Sequence, residues 1–173
     1  MVVRIPLVLD ARTPAGKRQQ NKAHMPTNGI VAKWQSTAPQ LRSILRIMAA
    51  FMYMSAGTMK LFAFPMGMPP NGGTAPLMSQ LGLAGVLEAV GGALLLLGLF
   101  TRPVAFLLAG EMAVAYFQVH YPQNFWPIIN NGQPAVLYCF IWLYISAAGP
   151  GPWSLDALFR RTVDSGPPRS TSI

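Results

Sequence analysis

The chain has 173 residues and a mass of 18.7 kDa, room for one domain, with 52% hydrophobic and only 10% charged residues, against roughly 25% charged in a typical soluble protein. Thirteen lysines and arginines against five acids give a net charge of +8, yet between positions 41 and 148 the charged residues are only Arg42, Arg46, Lys60, Glu88, Arg102 and Glu111. A long, nearly uncharged middle between basic flanks excludes an ordinary soluble domain and speaks for membrane tails rather than a nucleic-acid surface.

Residues 1–40 form the first flank. They carry Arg4, Arg12, Lys17, Arg18, Lys22 and Lys33 against Asp10 alone, and prolines at 6, 14, 26 and 39 interrupt helical patterning. The composition predicts a disordered basic tail on the cytoplasmic side. Its apolar run Ile5–Leu9 is too short for a signal-peptide core, and Met25 offers a second start site.

Four apolar stretches of helix length follow, at Leu41–Phe64, from about Met78 to Phe100, from Pro103 to about His120, and from near Gly132 to Ala148. A helix rises 1.5 Å per residue and the hydrocarbon core is roughly 30 Å thick, so the first three span it; the fourth, being short, recruits Asn130 and Asn131 at its start. The expected fold is all-α, a transmembrane four-helix bundle over residues 41–148. The basic segments (the amino-terminal tail, Thr101-Arg102 and the carboxyl-terminal Arg160, Arg161 and Arg169) then fall on one side. The loops 65–76 and 121–131, which lack lysine and arginine, fall on the other. By the positive-inside rule both termini are cytoplasmic, in a multi-pass protein of the cell's inner membrane. Tyr121, Phe125 and Trp126 suit an aromatic belt, and within the tail 149–173 the run WSLDALFRR reads as a short helix lying along the inner surface.

Ionisable groups inside a span are costly and usually face a partner or a cavity. Arg46, Tyr53, Gly57 and Lys60 are spaced by seven, four and three residues and share one helix face. Glu88 and Glu111 each lie ten residues into a span, about 15 Å from a membrane face. Two interhelical pairs, Lys60–Glu88 and Arg46–Glu111, are therefore expected, fixing the packing or forming a proton or ligand site, with snorkelling of Lys60 and Arg46 to the interfaces as the third reading. Glu111, Ala115 and Gln118 extend a polar line toward His120, with Tyr116 offering a hydroxyl. Gly85, Ala89 and Gly92 form a small-residue stripe that admits a neighbouring backbone, in this chain or in a second copy. The aromatic residues of the fourth span (Tyr138, Phe140, Trp142, Tyr144) read as lipid-facing and packing surface. The single Cys139 rules out an internal disulfide, and His24 and His120 make no buried haem pair. Met66, Met68 and His120 would be soft ligands for Cu(I), but methionine more simply fills helix interfaces, so no metal is assigned.

These residues together resemble the DoxX family of small four-helix membrane proteins. The matching pieces are Arg46…Gly57-x-x-Lys60-Leu61, Glu88-Ala-Val-Gly91-Gly92, Gly98-Leu-Phe-Thr101-Arg102, His120, Phe125-Trp126-Pro127, Asn131-Gly132 before Leu137-Tyr138, and Gly149-Pro-Gly-Pro-Trp153-Ser-Leu-Asp156. The match covers roughly residues 42–160. Where the family usually has glutamate after Asn-Gly, this chain has Gln133. The resemblance implies an accessory membrane subunit that docks a redox or thiol and oxidative-stress partner, as in quinone-linked thiosulfate oxidation, rather than an autonomous enzyme. With no covalently bound cofactor, quinone is the guest to consider, among Lys60, Glu88, Glu111 and Tyr116. A small transporter or exporter and a purely structural assembly protein stay open as alternatives.

Overall fold

The computed structural model describes residues 29–70 and 72–164, and all their regular structure is helical apart from one isolated bridge between Met68 and Gly73. Helix α1 (Gly29–Phe62) runs for 34 residues, starting well before the expected Leu41. The last part of the expected disordered tail is thus helix, exposed on every residue from Gly29 to Leu41. Pro39 does not end it, because helix on both sides carries it through; Ser36 and Thr37 hydroxyls, just before it, donate to the carbonyls of Lys33 and Trp34. The rest of that tail, residues 1–28, lies outside the described residues.

Helix α2 (Gln80–Leu97) begins at Ser79, whose hydroxyl accepts from the Gly82 amide at 3.0 Å, an ordinary N-cap. It ends at Gly98, whose φ of +70° suits glycine. In its middle the backbone widens into a π-helical turn, Leu87–Gly91. Helix α3 (Thr101–Ala115) runs on through a second π-helical turn, Tyr116–His120. Helix α4 (Gln133–Ala148) has proline in its first turn. Asn130 and Asn131 stay outside it, a correction to the expected start. Instead the Asn130 side chain bonds the Gly132 amide at 2.7 Å and the Asn124 carbonyl at 2.6 Å, so it organises the loop before the helix. Helix α5 (Leu155–Asp164) is the expected short amphipathic helix.

α1 packs along α2, and α3 packs along α4. The two pairs meet over a core of Ala49, Ala50, Leu95, Ala105, Leu108, Ala109, Trp142 and Ile145. Alanines dominate because small side chains let helix backbones approach. The expected stripe works within the chain: a Cβ on Gly57 of α1 would meet the Gly85 carbonyl oxygen at 2.8 Å and the Ala89 Cα at 2.9 Å. Gly92 sits equally close to Met54. The stripe is thereby filled by α1 and is not left open for a second copy.

Large apolar side chains point outward on all four helices, among them Phe51 and Met52 on α1, Val90 on α2, Phe106 and Leu107 on α3, and Leu137 and Phe140 on α4. Arg46, Glu88, Ser43 and Thr101 are buried instead. This distribution is the reverse of a water-soluble bundle. α2 is the one described helix that is long and apolar enough, by length and composition, to cross a membrane; α4 is apolar but shorter.

One end of the bundle gathers arginines. Arg42 donates to the Ala148 carbonyl at 2.8 Å and Arg102 to the Ser146 carbonyl at 2.9 Å and to that of Ala147, so both cap the last turn of α4. Asp156 of α5 accepts from the Phe100 and Thr101 amides, each at 2.9 Å, and caps the start of α3. The other end carries the aromatic loop between α3 and α4.

Candidate functional site

The polar face of α1 organises the site. Arg46, Tyr53, Gly57 and Lys60 do share one face, and all but Lys60 are buried. Successive positions along it meet different neighbours, so the seven candidate residues divide among three places.

At the arginine end, Arg46 is wholly buried and does not pair with Glu111, contrary to expectation. Its Nε donates to the Pro150 carbonyl at 3.0 Å, its Nη1 to the carbonyls of Leu95 and, at 2.9 Å, Leu96, and its Nη2 to that of Trp153. The physical reason is depth. Arg46 lies level with the last turn of α2 and the Gly149–Trp153 turn, where backbone carbonyls have lost their helical partners. Five fixed donors on one planar group suit that task better than an ammonium. Arg46 therefore joins the chain ends, and Glu111 lies further along the bundle.

In the middle of the bundle Lys60 reaches inward, and its ammonium donates to both carboxylate oxygens of Glu88, as expected. Glu88 is 3% exposed and stands in the π-helical turn of α2. π-helical turns are rare and occur often at functional sites. Gly57, one turn before Lys60, is what brings the two helices close enough for the pair. Beside it, the Tyr53 hydroxyl donates to Glu111 Oε2 at 3.0 Å. Glu88 and Lys60 also lie near enough to act electrostatically on Glu111. Four of the candidates thus form one cluster: Tyr53, Lys60, Glu88 and Glu111.

An aromatic wall from α4 completes it. The Tyr53 ring lies 5.0 Å from that of Tyr138 and 5.5 Å from that of Trp142, and the latter two stack at 5.9 Å. Trp142 is fully buried and supplies the packing part of the surface expected of these aromatics, while Phe140 and Tyr144 face outward. The four-residue spacing of Tyr138 and Trp142 signalled a shared face, but no periodicity said that this face looked inward. Two buried polar atoms here have no partner: Glu111 Oε1 and the Trp142 indole nitrogen. Such an orphan costs about 1–3 kcal/mol, so one acceptor and one donor remain for a proton, a water or a polar guest.

Tyr116 and His120 belong to neither place. Their rings stack at 6.4 Å in the second π-helical turn; the Tyr116 hydroxyl donates to the Phe125 carbonyl at 2.7 Å, and His120 Nδ1 bonds the Asn130 carbonyl at 2.9 Å. They hold the aromatic loop against the end of α3. Gln80 of α2 donates to Gln118 nearby, joining α2 to α3.

The DoxX family model matches residues 41–121. An uncharacterized protein of Haemophilus influenzae is 42% identical over 126 residues, which is 70% of this chain and 92% of that relative. No solved structure matches the chain.

Proposed function

The chain belongs to the DoxX family of small membrane proteins, and from that membership we propose that it is an accessory subunit with four spans and both termini in the cytoplasm, holding one exchangeable proton in its core. The four spans are supported by the outward apolar side chains on α1 to α4 and by the wholly uncharged loops at the aromatic end. The arginine end then faces the cytoplasm.

The observation that carries the proposal is a count of charge in the cluster. Lys60 is one cation for two carboxylates, and it is spent on Glu88. Glu111 has only the neutral Tyr53 hydroxyl and an unpartnered Oε1. Excess charge in lipid is expensive, so one proton completes the set, and Oε1 of Glu111 is its natural seat. Tyr53 then orients the carboxyl, and the Tyr138–Trp142 wall keeps water out.

The guest we propose is a quinone, docked with a redox partner protein at the membrane. Quinone chemistry exchanges two electrons together with protons, and the polar end of such a ring needs donors beside an apolar slot. The fit rests on the unpartnered Trp142 N–H and the Glu111 carboxyl, the two groups able to meet a quinone oxygen. A short-chain quinone titrated into purified protein in lipid nanodiscs tests this. Binding by the wild type, weakened in Glu111→Gln and in Lys60→Met, supports it; equal, negligible binding in all three removes the quinone. A purely structural role is favoured by Arg46, whose partners are all backbone. Cells that keep full function with apolar residues in place of Lys60 and Glu88 would establish that reading instead.

A further inference from the structure

Outside the polar core, charge concentrates at a second place. A groove of about 360 Å³ opens at the arginine end, between α1 near Pro39, the end of α4 and α5, and Arg42, Arg102 and Arg160 all line it. Among the described residues no acidic side chain does. Both oxygens of the nearby Asp156 are committed to the start of α3. Pro39, Pro150 and Pro152 form part of the wall and have no N–H to offer, so the donors of the groove are chiefly guanidinium groups.

Each of these groups has donors in reserve. Arg42 spends Nη1 on the Ala148 carbonyl, while its buried Nε has no partner. Arg102 spends Nη1 on Ser146 and Ala147, which fixes the group and leaves its other nitrogens unspent. Arg160 is exposed, and among the described residues its guanidinium makes no hydrogen bond or ion pair. Two anchored guanidinium groups and one exposed one, converging in a groove that no acidic side chain among the described residues lines, are built for an anion with several acceptor oxygens. The surroundings choose among anions: α5 exposes Phe159 next to Arg160 and Leu158 on its other flank, an amphipathic border between apolar and charged surface.

We propose that this groove binds the phosphate of an anionic phospholipid headgroup, with Arg42 and Arg102 as a preformed cradle and Arg160 closing over it. The inference rests on the proposed embedding of α1 to α4 in lipid, though not on which side the arginine end faces. Arg161 supplies an internal control, because it lines a separate groove with Leu96, Leu97 and Trp153 on the other flank of α5.

The test uses the full chain in mild detergent, titrated with short-chain phosphatidylglycerol or phosphatidylcholine and followed by native mass spectrometry. The account expects preference for phosphatidylglycerol. It expects about fivefold weaker binding in Arg160→Gln, the loss of one arginine contact near a membrane surface, with Arg160→Lys retaining part of it and Arg161→Gln unchanged. Equal losses for Arg160→Gln and Arg161→Gln would mean diffuse attraction and overturn the site. So would equal binding of the two lipids, or displacement by inorganic phosphate, which would make a free anion the occupant. Circular dichroism checks that Arg160→Gln stays folded, as expected of an exposed side chain. Thiol labelling of loop cysteines in vesicles reports on the embedding separately.

Discussion

Replacing Lys60 by methionine isolates the pair in the middle of the bundle. The substitution keeps an unbranched apolar stem and removes the ammonium, leaving the Glu88 carboxylate, 4% exposed, without its cation. Lys60 itself is 16% exposed, so solvent screens the pair little. Removing one partner of a buried pair costs about 3–5 kcal/mol, whereas exchanging both for apolar residues is often neutral or stabilising. Lys60→Met is thus expected to lose about 3–5 kcal/mol, and the double variant with Glu88→Met to recover most of it. The assay is reversible unfolding in mixed micelles, read by circular dichroism, on the wild type, both single variants and the double. A Lys60→Met protein within about 0.5 kcal/mol of wild type would refute the pairing, as would single effects that simply add in the double.

Four other substitutions probe the rest of the framework. Gly57→Ala forces a methyl onto the Gly85 carbonyl and the Ala89 backbone, and is expected to cost about 1–3 kcal/mol in the same unfolding assay. Gly110→Ala, in α3, meets nothing within 4 Å and should be neutral or stabilising by up to ~1 kcal/mol. Arg46→Lys cannot reach four carbonyls with a fork, and should lose at least about 2 kcal/mol because the carbonyls of Pro150 or Trp153 go unpaired. Asp156→Ala removes the cap of α3 and the tie to α5. It should cost about 1–2 kcal/mol and make α5 the first site of limited proteolysis, while the remaining helices stay protected.

The helices were legible in the sequence because composition and length constrain them strongly, and α4 and α5 begin within a few residues of expectation. α1 was not, at its start: Pro39 and the polar residues before it read as tail, while the helix continues through them. The Lys60–Glu88 pair was legible, since seven-, four- and three-residue spacing sets a face and counting residues sets a depth. Arg46–Glu111 failed on that same count, because Arg46 lies a span's half-length away from Glu111, level with unpaired carbonyls that no sequence pattern announces. The Glu111 partner came from a tyrosine hydroxyl on the polar face already recognised. The two π-helical turns, which carry Glu88 and the Tyr116–His120 stack, have no signature in residue type and depend on packing alone. Arg42 and Arg102 were read only as orientation signals; their second task as caps becomes visible once the end of α4 lies beside them.

The most direct test of the proton-holding cluster is infrared spectroscopy of the purified protein in lipid, following the stretch of a protonated carboxyl group. The account predicts one such band that vanishes in Glu111→Gln, shifts in Tyr53→Phe as its hydrogen bond is lost, and is joined by a second in Lys60→Met, where Glu88 loses its cation. A band that survives unchanged in Glu111→Gln, or no band at all in the wild type, would contradict it.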